Sequence, residues 1–165
     1  MRRTGWVRWL LVPLVVLPIG WLLLSGFGRD PMEISSPLIG QPAPEWTLTT
    51  LDGETLSSAD LAGRPYVVNF WASWCGPCVR FAPTYEKSSE KHTEITFGKV
   101  DTEAEQAIAA KFDIRSIPTI MAIRDGVIVF SQPGALPESA LESLIDQVEK
   151  LDMEDVRKQL AAHNH

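Results

Sequence analysis

Both cysteines of this 165-residue chain lie in one motif, Cys75-Gly76-Pro77-Cys78. Two thiols three residues apart at the start of a helix face the same side and can close a small disulfide ring. Such a pair exchanges two electrons by opening or closing one S–S bond. The motif therefore predicts a redox-active dithiol whose chemistry is thiol–disulfide exchange.

The alternatives to a redox dithiol have weaker support. A zinc site would need two further ligands, yet there is no third cysteine, and His92, His163 and His165 lack ligand spacing. A purely structural disulfide closing so short a loop removes little entropy from the unfolded chain. The alternative of a buried, unreactive pair of thiols does not agree with the exposed turn that Gly76 and Pro77 favour. We therefore predict no metal ion, and no cofactor besides the disulfide itself.

The segments on either side of the motif predict a strand and a helix. Tyr66–Trp71 is short, mostly apolar and rich in β-branched and aromatic residues, which is typical of a strand buried on both faces. A helical pattern follows the motif to about His92. Residues 95–100 then predict a second central strand, and residues 103–112 an alanine-rich helix.

The remaining segments complete an α/β pattern. Arg124-Asp125-Gly126 is a turn signal between two apolar runs and predicts a β-hairpin. Residues 137–151 carry apolar side chains at helical spacing, and Asp152 caps a last short helix. Strand, helix, strand, helix, hairpin and helix predict a central mixed β-sheet flanked by helices.

The N-terminal part differs in composition from the rest. Residues 9–28 are almost wholly apolar, and as a helix at about 1.5 Å per residue they match the roughly 30 Å core of a bilayer. Arg2, Arg3 and Arg8 precede this run, so the positive-inside bias places the N-terminus in the cytoplasm. We therefore expect one transmembrane helix in a bacterial inner membrane, with the following domain facing the periplasm or exterior.

A cleaved signal peptide is the alternative to this anchor. The apolar run exceeds the about 7–15 residues of a signal peptide, and residues 24–27 make a poor cleavage site. We accordingly divide the chain into a cytoplasmic N-terminus with anchor (1–28), a proline-rich tether (29–44) and one α/β domain (45–165).

The charge of the chain excludes one class of partner. Its 15 basic and 21 acidic residues give a net charge of −6, and without residues 1–28 the balance is 12 to 21. An acidic domain does not favour binding to a phosphate backbone. We predict a monomer that binds no nucleic acid.

The segment Phe70–Cys78 resembles the active-site segment of the thioredoxin family, with the same strand before it and helix after it. Arg115–Thr119 resembles the stretch that carries the cis-proline of that family, and Pro83 stands where its active-site helix is kinked. The resemblance covers about residues 60–151 and implies the thioredoxin fold.

The position of the motif and the resemblance together assign roles to individual residues. Cys75 lies at a helix N-terminus, where free N–H groups and the helix dipole stabilise a thiolate, so it is the expected nucleophile. Cys78, one turn inside, resolves the mixed disulfide. The resemblance adds site-shaping residues and a groove glycine: Trp74, Gly76, Pro77, Pro118 in cis, Ile117, Lys99, Asn69 and, in the substrate groove, Gly134.

Some of these residues have plainer alternatives. Trp74 is also read as a half-buried aromatic, and Lys99 as a surface lysine whose stem lies on apolar groups. Asn69 stands where thioredoxins have a buried aspartate thought to accept the inner cysteine's proton. An amide does not titrate, so both a tuning role and a plain core amide remain open.

The expected function is reduction or exchange of disulfides in extracytoplasmic client proteins, with a membrane electron donor. Gly76-Pro77 is the dipeptide of the reducing members of the family. The opening Ile39–Pro44 with Leu51–Gly53 resembles the membrane-tethered TlpA-like and DsbE-like branch. The alternatives are a DsbA-like oxidase, a cytochrome c maturation thioredoxin, and a non-catalytic adaptor with the same groove.

Overall fold

The computed structural model of the protein describes residues 16, 17, 21 and 36–163. The chain divides into two units, Met1–Ile34 and Ser35–His165. Among the described residues no helix is both long enough and apolar enough to cross a bilayer. The helix predicted over residues 9–28 lies outside the described residues apart from three positions, and the domain boundaries at 28 and 44 stay predictions.

The described part of the second unit contains six strands and four α-helices. In chain order they are β1 (Thr47–Thr49), β2 (Thr55–Ser57), β3 (Tyr66–Trp71), α1 (Gly76–Lys91), β4 (Thr96–Asp101), α2 (Gln106–Lys111), β5 (Thr119–Arg124), β6 (Val127–Pro133), α3 (Glu138–Lys150) and α4 (Met153–His163). A single 3-10 turn, Ser58–Leu61, follows β2.

Four of the strands form the central sheet, in the order β4-β3-β5-β6. β3 pairs with β4 in parallel and with β5 antiparallel, and β5 and β6 form the predicted antiparallel hairpin. β1 and β2 form a separate two-stranded hairpin. The mixed sheet confirms the predicted α/β fold class.

Alternate residues of β3 enter two different cores, because successive side chains of a strand point to opposite faces. Val68 and Phe70 pack in one core with Phe112, which follows α2. Val67 packs in the other with Phe81 of α1 and Ile145 of α3. Helices thus cover both faces, which explains why β3 reads as an almost unbroken apolar run.

The segment before β1 covers the outer edge of β6. The N–H of Gly40 donates to the carbonyl of Ile128 at 2.8 Å, and the N–H of Ile128 donates to the carbonyl of Gln41 at 3.0 Å. Pro42 forms an isolated bridge with Val127. A proline has no N–H to offer a further strand, so this segment closes the edge against additional pairing.

Helix α2 is shorter than the sequence predicted. The helical pattern was expected over residues 103–112, whereas α2 spans Gln106–Lys111. The Asp101 carboxylate accepts the N–H of Glu103 at 2.9 Å, and its carbonyl accepts the N–H of Glu105 at 2.8 Å. Because this aspartate turn engages the N–H groups of Glu103 and Glu105, the helix begins only at Gln106.

Helix α1 is held on the sheet by one buried hydroxyl. Tyr85 is 2% exposed, and its Oη lies 2.8 Å from the carbonyl oxygen of Val67 and 2.9 Å from that of Gly98. Burial raises the pKa of Tyr85 well above its usual range, so the hydroxyl stays a donor. Because it reaches both β3 and β4, it sets the position of the helix that begins at the cysteine motif.

The other end of α1 is held against α3. The Glu142 carboxylate of α3 accepts a hydrogen bond from the Ser88 hydroxyl at 2.8 Å and pairs with the Lys91 ammonium. Hydrogen bonds from Lys91 and then His92 lower the pKa of Glu142 to about 2. The carboxylate is therefore charged at neutral pH.

Replacing Tyr85 with Phe is expected to lower the free energy of unfolding by about 1 kcal/mol, the usual net value of a buried hydrogen bond. The ring stays and only the hydroxyl is lost, so the change isolates the bonds to the two carbonyls. Urea unfolding of the variant and the parent measures the difference. Equal stability of the two proteins would contradict an anchoring role for the hydroxyl.

Candidate active site

Cys75 is the N-cap residue of α1. Its backbone is extended (φ −77°, ψ 102°), and its Sγ accepts the N–H of Cys78 at 3.2 Å. The carbonyl of the same residue accepts the N–H of Val79 at 3.0 Å. Since N-cap side chains satisfy N–H groups that the helix leaves free, the sulfur itself occupies the capping position.

The two cysteines form a disulfide, with their Cα atoms 5.2 Å apart. Cys75 is 4% exposed and Cys78 is 1% exposed. Gly76 and Pro77 are exposed, as the turn predicted from the sequence requires, whereas the structure leaves only a small part of Cys75 open. Ala72 and the partly buried Trp71 and Ile117 pack around the pair, which explains the difference.

The start of α1 carries no negative side chain. Its first turn contains no acidic residue, and Pro77 at the N-terminus removes an N–H that would have no partner in the helix. The guanidinium of Arg80 lies against this turn, with Nη1 3.4 Å from the position that a Cβ would take on Gly76. The helix dipole favours a negative sulfur here, and Arg80 adds a positive charge beside the same turn.

A loop from a distant part of the chain faces the disulfide. The Ile117–Pro118 peptide bond is cis, and the carbonyl oxygen of Ile117 lies 3.8 Å from the Cys75 Sγ. The carbonyl of Pro118 accepts the N–H of Gly134 at 2.7 Å. Gly134 has a φ of +102°, which favours glycine, so the turn after β6 is fitted to the cis-proline loop.

Two apolar side chains stand exposed beside the motif. Trp74 is 69% exposed and Val79 is 52% exposed. Large apolar side chains that remain open next to a reactive group are typical of a contact surface for another molecule. This exposed fraction does not agree with the alternative that Trp74 is a half-buried aromatic.

Lys99 forms an ion pair and an aromatic contact on the surface behind the motif. Its ammonium lies 3.0 Å from the Glu86 carboxylate of α1 and 5.0 Å from the centre of the Trp71 ring. These contacts tie β4 to α1 and to the end of β3. A role for Lys99 in tuning the dithiol stays a prediction.

Asn69 is buried in the centre of β3. It is 1% exposed, and its Oδ1 atom has no hydrogen-bond donor among the described residues. Strand alternation puts it on the same face as Val67, towards α1. A buried amide oxygen without a donor carries a desolvation cost, which marks this position as unusual within the core.

The structure brings most of the predicted site residues together. The motif with Trp74 and the loop with Ile117, Pro118 and Gly134 meet at the disulfide, while Lys99 and Asn69 lie on neighbouring strands behind it. Two contacts were missed from the sequence, those of Arg80 and Glu86. Arg80 stands four residues after Gly76, a spacing that places both on one helix face and was a usable signal.

Comparisons with known proteins give a consistent result. Residues 51–147 match the model of the family described as Thioredoxin. The chain is 56% identical over 95 residues to "Putative thioredoxin 2" of Streptomyces coelicolor, covering 58% of this chain and 71% of that one. It is 34% identical over 115 residues to "Thioredoxin C-2" of Corynebacterium nephridii, covering 69% and 98%.

One solved structure adds the fold. The chain is similar to the X-ray structure of Fasciola hepatica thioredoxin with a TM-score of 0.51 and 37% identity, covering 54% of this chain and 85% of that one. The predicted resemblance to the thioredoxin family is confirmed. The membrane-tethered TlpA-like character receives no support from these matches.

The predicted location in a bacterial inner membrane, with the domain facing the periplasm or exterior, is wrong. The relatives found in the comparisons are thioredoxins by name. The length of the apolar run and the arginines before it show only that such a segment is compatible with a bilayer. The same relatives give no support to extracytoplasmic clients or to a membrane electron donor.

Replacing Asn69 with Asp is expected to cost stability in a pH-dependent way. Burial without a donor raises the pKa of the new carboxyl above the about 3.9 of the unfolded chain. The native state then holds its proton to higher pH, so relative stability falls as pH rises between the two values. Denaturant unfolding at pH 5 and pH 8 measures this.

Asn69→Ala is the matched control, because it removes the amide without adding a titratable group. Its stability deficit should be the same at both pH values. An equally flat deficit in Asn69→Asp would show that position 69 does not desolvate a carboxylate.

Proposed function

The chain belongs to the thioredoxin family and is a thiol-disulfide oxidoreductase, and from that premise we propose that it reduces disulfide bonds in client proteins through Cys75 and Cys78. The observation that carries the proposal is the Cys75 sulfur at the N-cap of α1, where it accepts the Cys78 N–H. A thiolate formed there meets a hydrogen-bond donor and the positive end of the helix dipole.

The reaction has two exchange steps. In the reduced enzyme the Cys75 thiolate attacks one sulfur of the client disulfide, whose S–S bond breaks as a Cys75–client bond forms and a client thiolate leaves. Cys78 then loses its proton and attacks the Cys75 sulfur, which releases the second client thiolate and closes the Cys75–Cys78 disulfide. Two electrons pass to the client, and both client thiolates take up protons.

The order of the two sulfurs follows from their positions. Cys78 lies inside the first turn of α1 and is 1% exposed, so its sulfur meets no client directly. Cys75 stands at the end of the helix, next to the exposed Trp74. We assign attack to Cys75 and resolution to Cys78 on this basis.

The surface around Cys75 suits an extended polypeptide. The N–H of Ile117 has no hydrogen-bond partner among the described residues, and so it is free to pair with a client backbone. Trp74 and Val79 offer exposed apolar area on the other side of the disulfide. Gly134 leaves open space beside the loop, because a Cβ there would meet nothing within 4 Å.

We propose reduction as the direction because Gly76-Pro77 is the dipeptide of the reducing members of the family. A DsbA-like oxidase has the same fold and the same two cysteines, so only the reduction potential separates the two. Each cycle of reduction leaves the disulfide closed. A reductant must then return two electrons to it before the next cycle.

The opening of the domain is proposed to follow the TlpA-like and DsbE-like branch. The family match begins at residue 51, so this proposal rests on the resemblance of Ile39–Pro44 and Leu51–Gly53. In keeping with it, this segment closes the β6 edge and leads into the β1–β2 hairpin. Cytochrome c maturation stays an alternative role for such an opening.

The cysteine variants test the proposed roles. Cys75→Ser is expected to abolish reduction of an insulin disulfide, while Cys78→Ser still attacks but stalls as a mixed disulfide because nothing resolves it. Mass spectrometry of the trapped adducts identifies the bonded cysteine. The double variant is the control, since the chain then has no thiol at all.

The same experiment could also reverse the roles assigned to Cys75 and Cys78. Adducts that form through Cys78 in Cys75→Ser, with none in Cys78→Ser, would reverse the two roles. Full insulin reduction by Cys75→Ser would remove the proposed function altogether.

A further inference from the structure

An imidazole and two carboxylates converge at the end of α1 that lies away from the dithiol. His92 follows α1, Glu94 lies in the loop before β4, and Glu149 stands near the end of α3. One donor atom of each lies within 4.8 Å of the others. The His92 Nδ1 is 3.3 Å from the Glu94 Oε1 and 3.9 Å from the Glu149 Oε1.

These separations fit the coordination shell of a small divalent ion. Zinc lies about 2.0–2.2 Å from nitrogen and carboxylate ligands, so the donors of a tetrahedral site are about 3.3–3.6 Å from one another. The distance from the His92 Nδ1 to the Glu94 Oε1 already lies in this range. The distance from the same nitrogen to the Glu149 Oε1 has to shorten by only a few tenths of an ångström. One imidazole and two carboxylates also balance the double positive charge.

The imidazole is already oriented as a ligand. Its Nε2 lies 3.1 Å from the Glu142 carboxylate. When Nε2 carries the proton it donates a hydrogen bond to that carboxylate, and the lone pair of Nδ1 then faces Glu94 and Glu149. A carboxylate on the far nitrogen is the usual support of a metal-binding histidine. Ser88 and Lys91 hold Glu142 in turn, so the orientation does not depend on a mobile side chain.

The three donor atoms contact one another, and among the described residues no lysine or arginine side chain accompanies them. The Glu149 Oε1 is buried and has no hydrogen-bond donor among the described residues. In the described part of the chain no lysine or arginine pairs with either the Glu94 or the Glu149 carboxylate. Two carboxylates and a nitrogen lone pair facing one another are unfavourable unless a proton or a metal cation lies between them.

We propose that His92, Glu94 and Glu149 bind a divalent transition-metal ion, with zinc as the best match to these ligands, and that water completes the shell. The site joins α1, the loop before β4 and α3, so a bound ion stabilises the packing of those three segments. The proposed site differs from the sequence-based prediction that the protein binds no metal ion. It takes no part in the disulfide chemistry.

Other zinc ligands in the chain must be removed before the test. The full-length chain therefore carries Cys75→Ser and Cys78→Ser, which remove both thiols, and His163→Ala and His165→Ala, which remove the two C-terminal imidazoles. After treatment with a chelator, this protein is titrated with ZnCl2 while its thermal midpoint and binding isotherm are recorded. CoCl2 serves as the spectroscopic probe.

The expected result is one saturable ion per chain, a rising thermal midpoint, and the intense visible bands of tetrahedral cobalt. Glu94→Gln and Glu149→Gln should each abolish the shift in midpoint, and Glu142→Gln should weaken binding about 10- to 100-fold. Glu90→Gln, an acid of α1 outside the cluster, is the matched control and should bind like the parent.

Absence of saturable binding to the folded, metal-free parent would overturn the proposal. So would binding that is unchanged in both Glu94→Gln and Glu149→Gln. Circular dichroism of each metal-free variant verifies its fold, and glutamine keeps the shape of the side chain it replaces.

Discussion

The hydrogen bond from the Cys78 N–H to the Cys75 sulfur is the contact around which the active site is arranged. It makes a sulfur atom the cap of α1, so the start of the helix and the reactive group are the same point in space. Everything that displaces this end of the helix also displaces the sulfur. The cis Ile117–Pro118 loop, from 42 residues further along the chain, has to meet that point for a client to be held there.

The rest of the fold keeps the helix start in place. The hydroxyl of Tyr85 reaches the carbonyls of two neighbouring strands, and Glu142 of α3 holds the far end of α1. Pro83 interrupts the helix between these anchors and the motif by removing one backbone N–H. A helix secured in this way can present its first turn without relying on unbroken internal hydrogen bonding.

Local patterns were enough to predict the elements and the dithiol, because strand β3, helix α1 and the cysteine motif are contiguous in sequence. The late start of α2 escaped prediction, since it depends on the Asp101 side chain competing for backbone N–H groups. The cluster around His92 was invisible for another reason, namely that Glu149 comes from a distant segment of the chain. The burial of Cys75 likewise depends on Ile117, which only the fold brings near.

The reduction potential of the Cys75–Cys78 couple tests the central claim most directly, because it decides whether this dithiol gives electrons to clients or takes them. The full-length protein is equilibrated with glutathione mixtures of known potential, and the fraction of closed disulfide is measured by thiol labelling. A value near that of thioredoxin, about −270 mV, is the predicted result. A value near the about −120 mV of DsbA would contradict the claim and make the protein an oxidant.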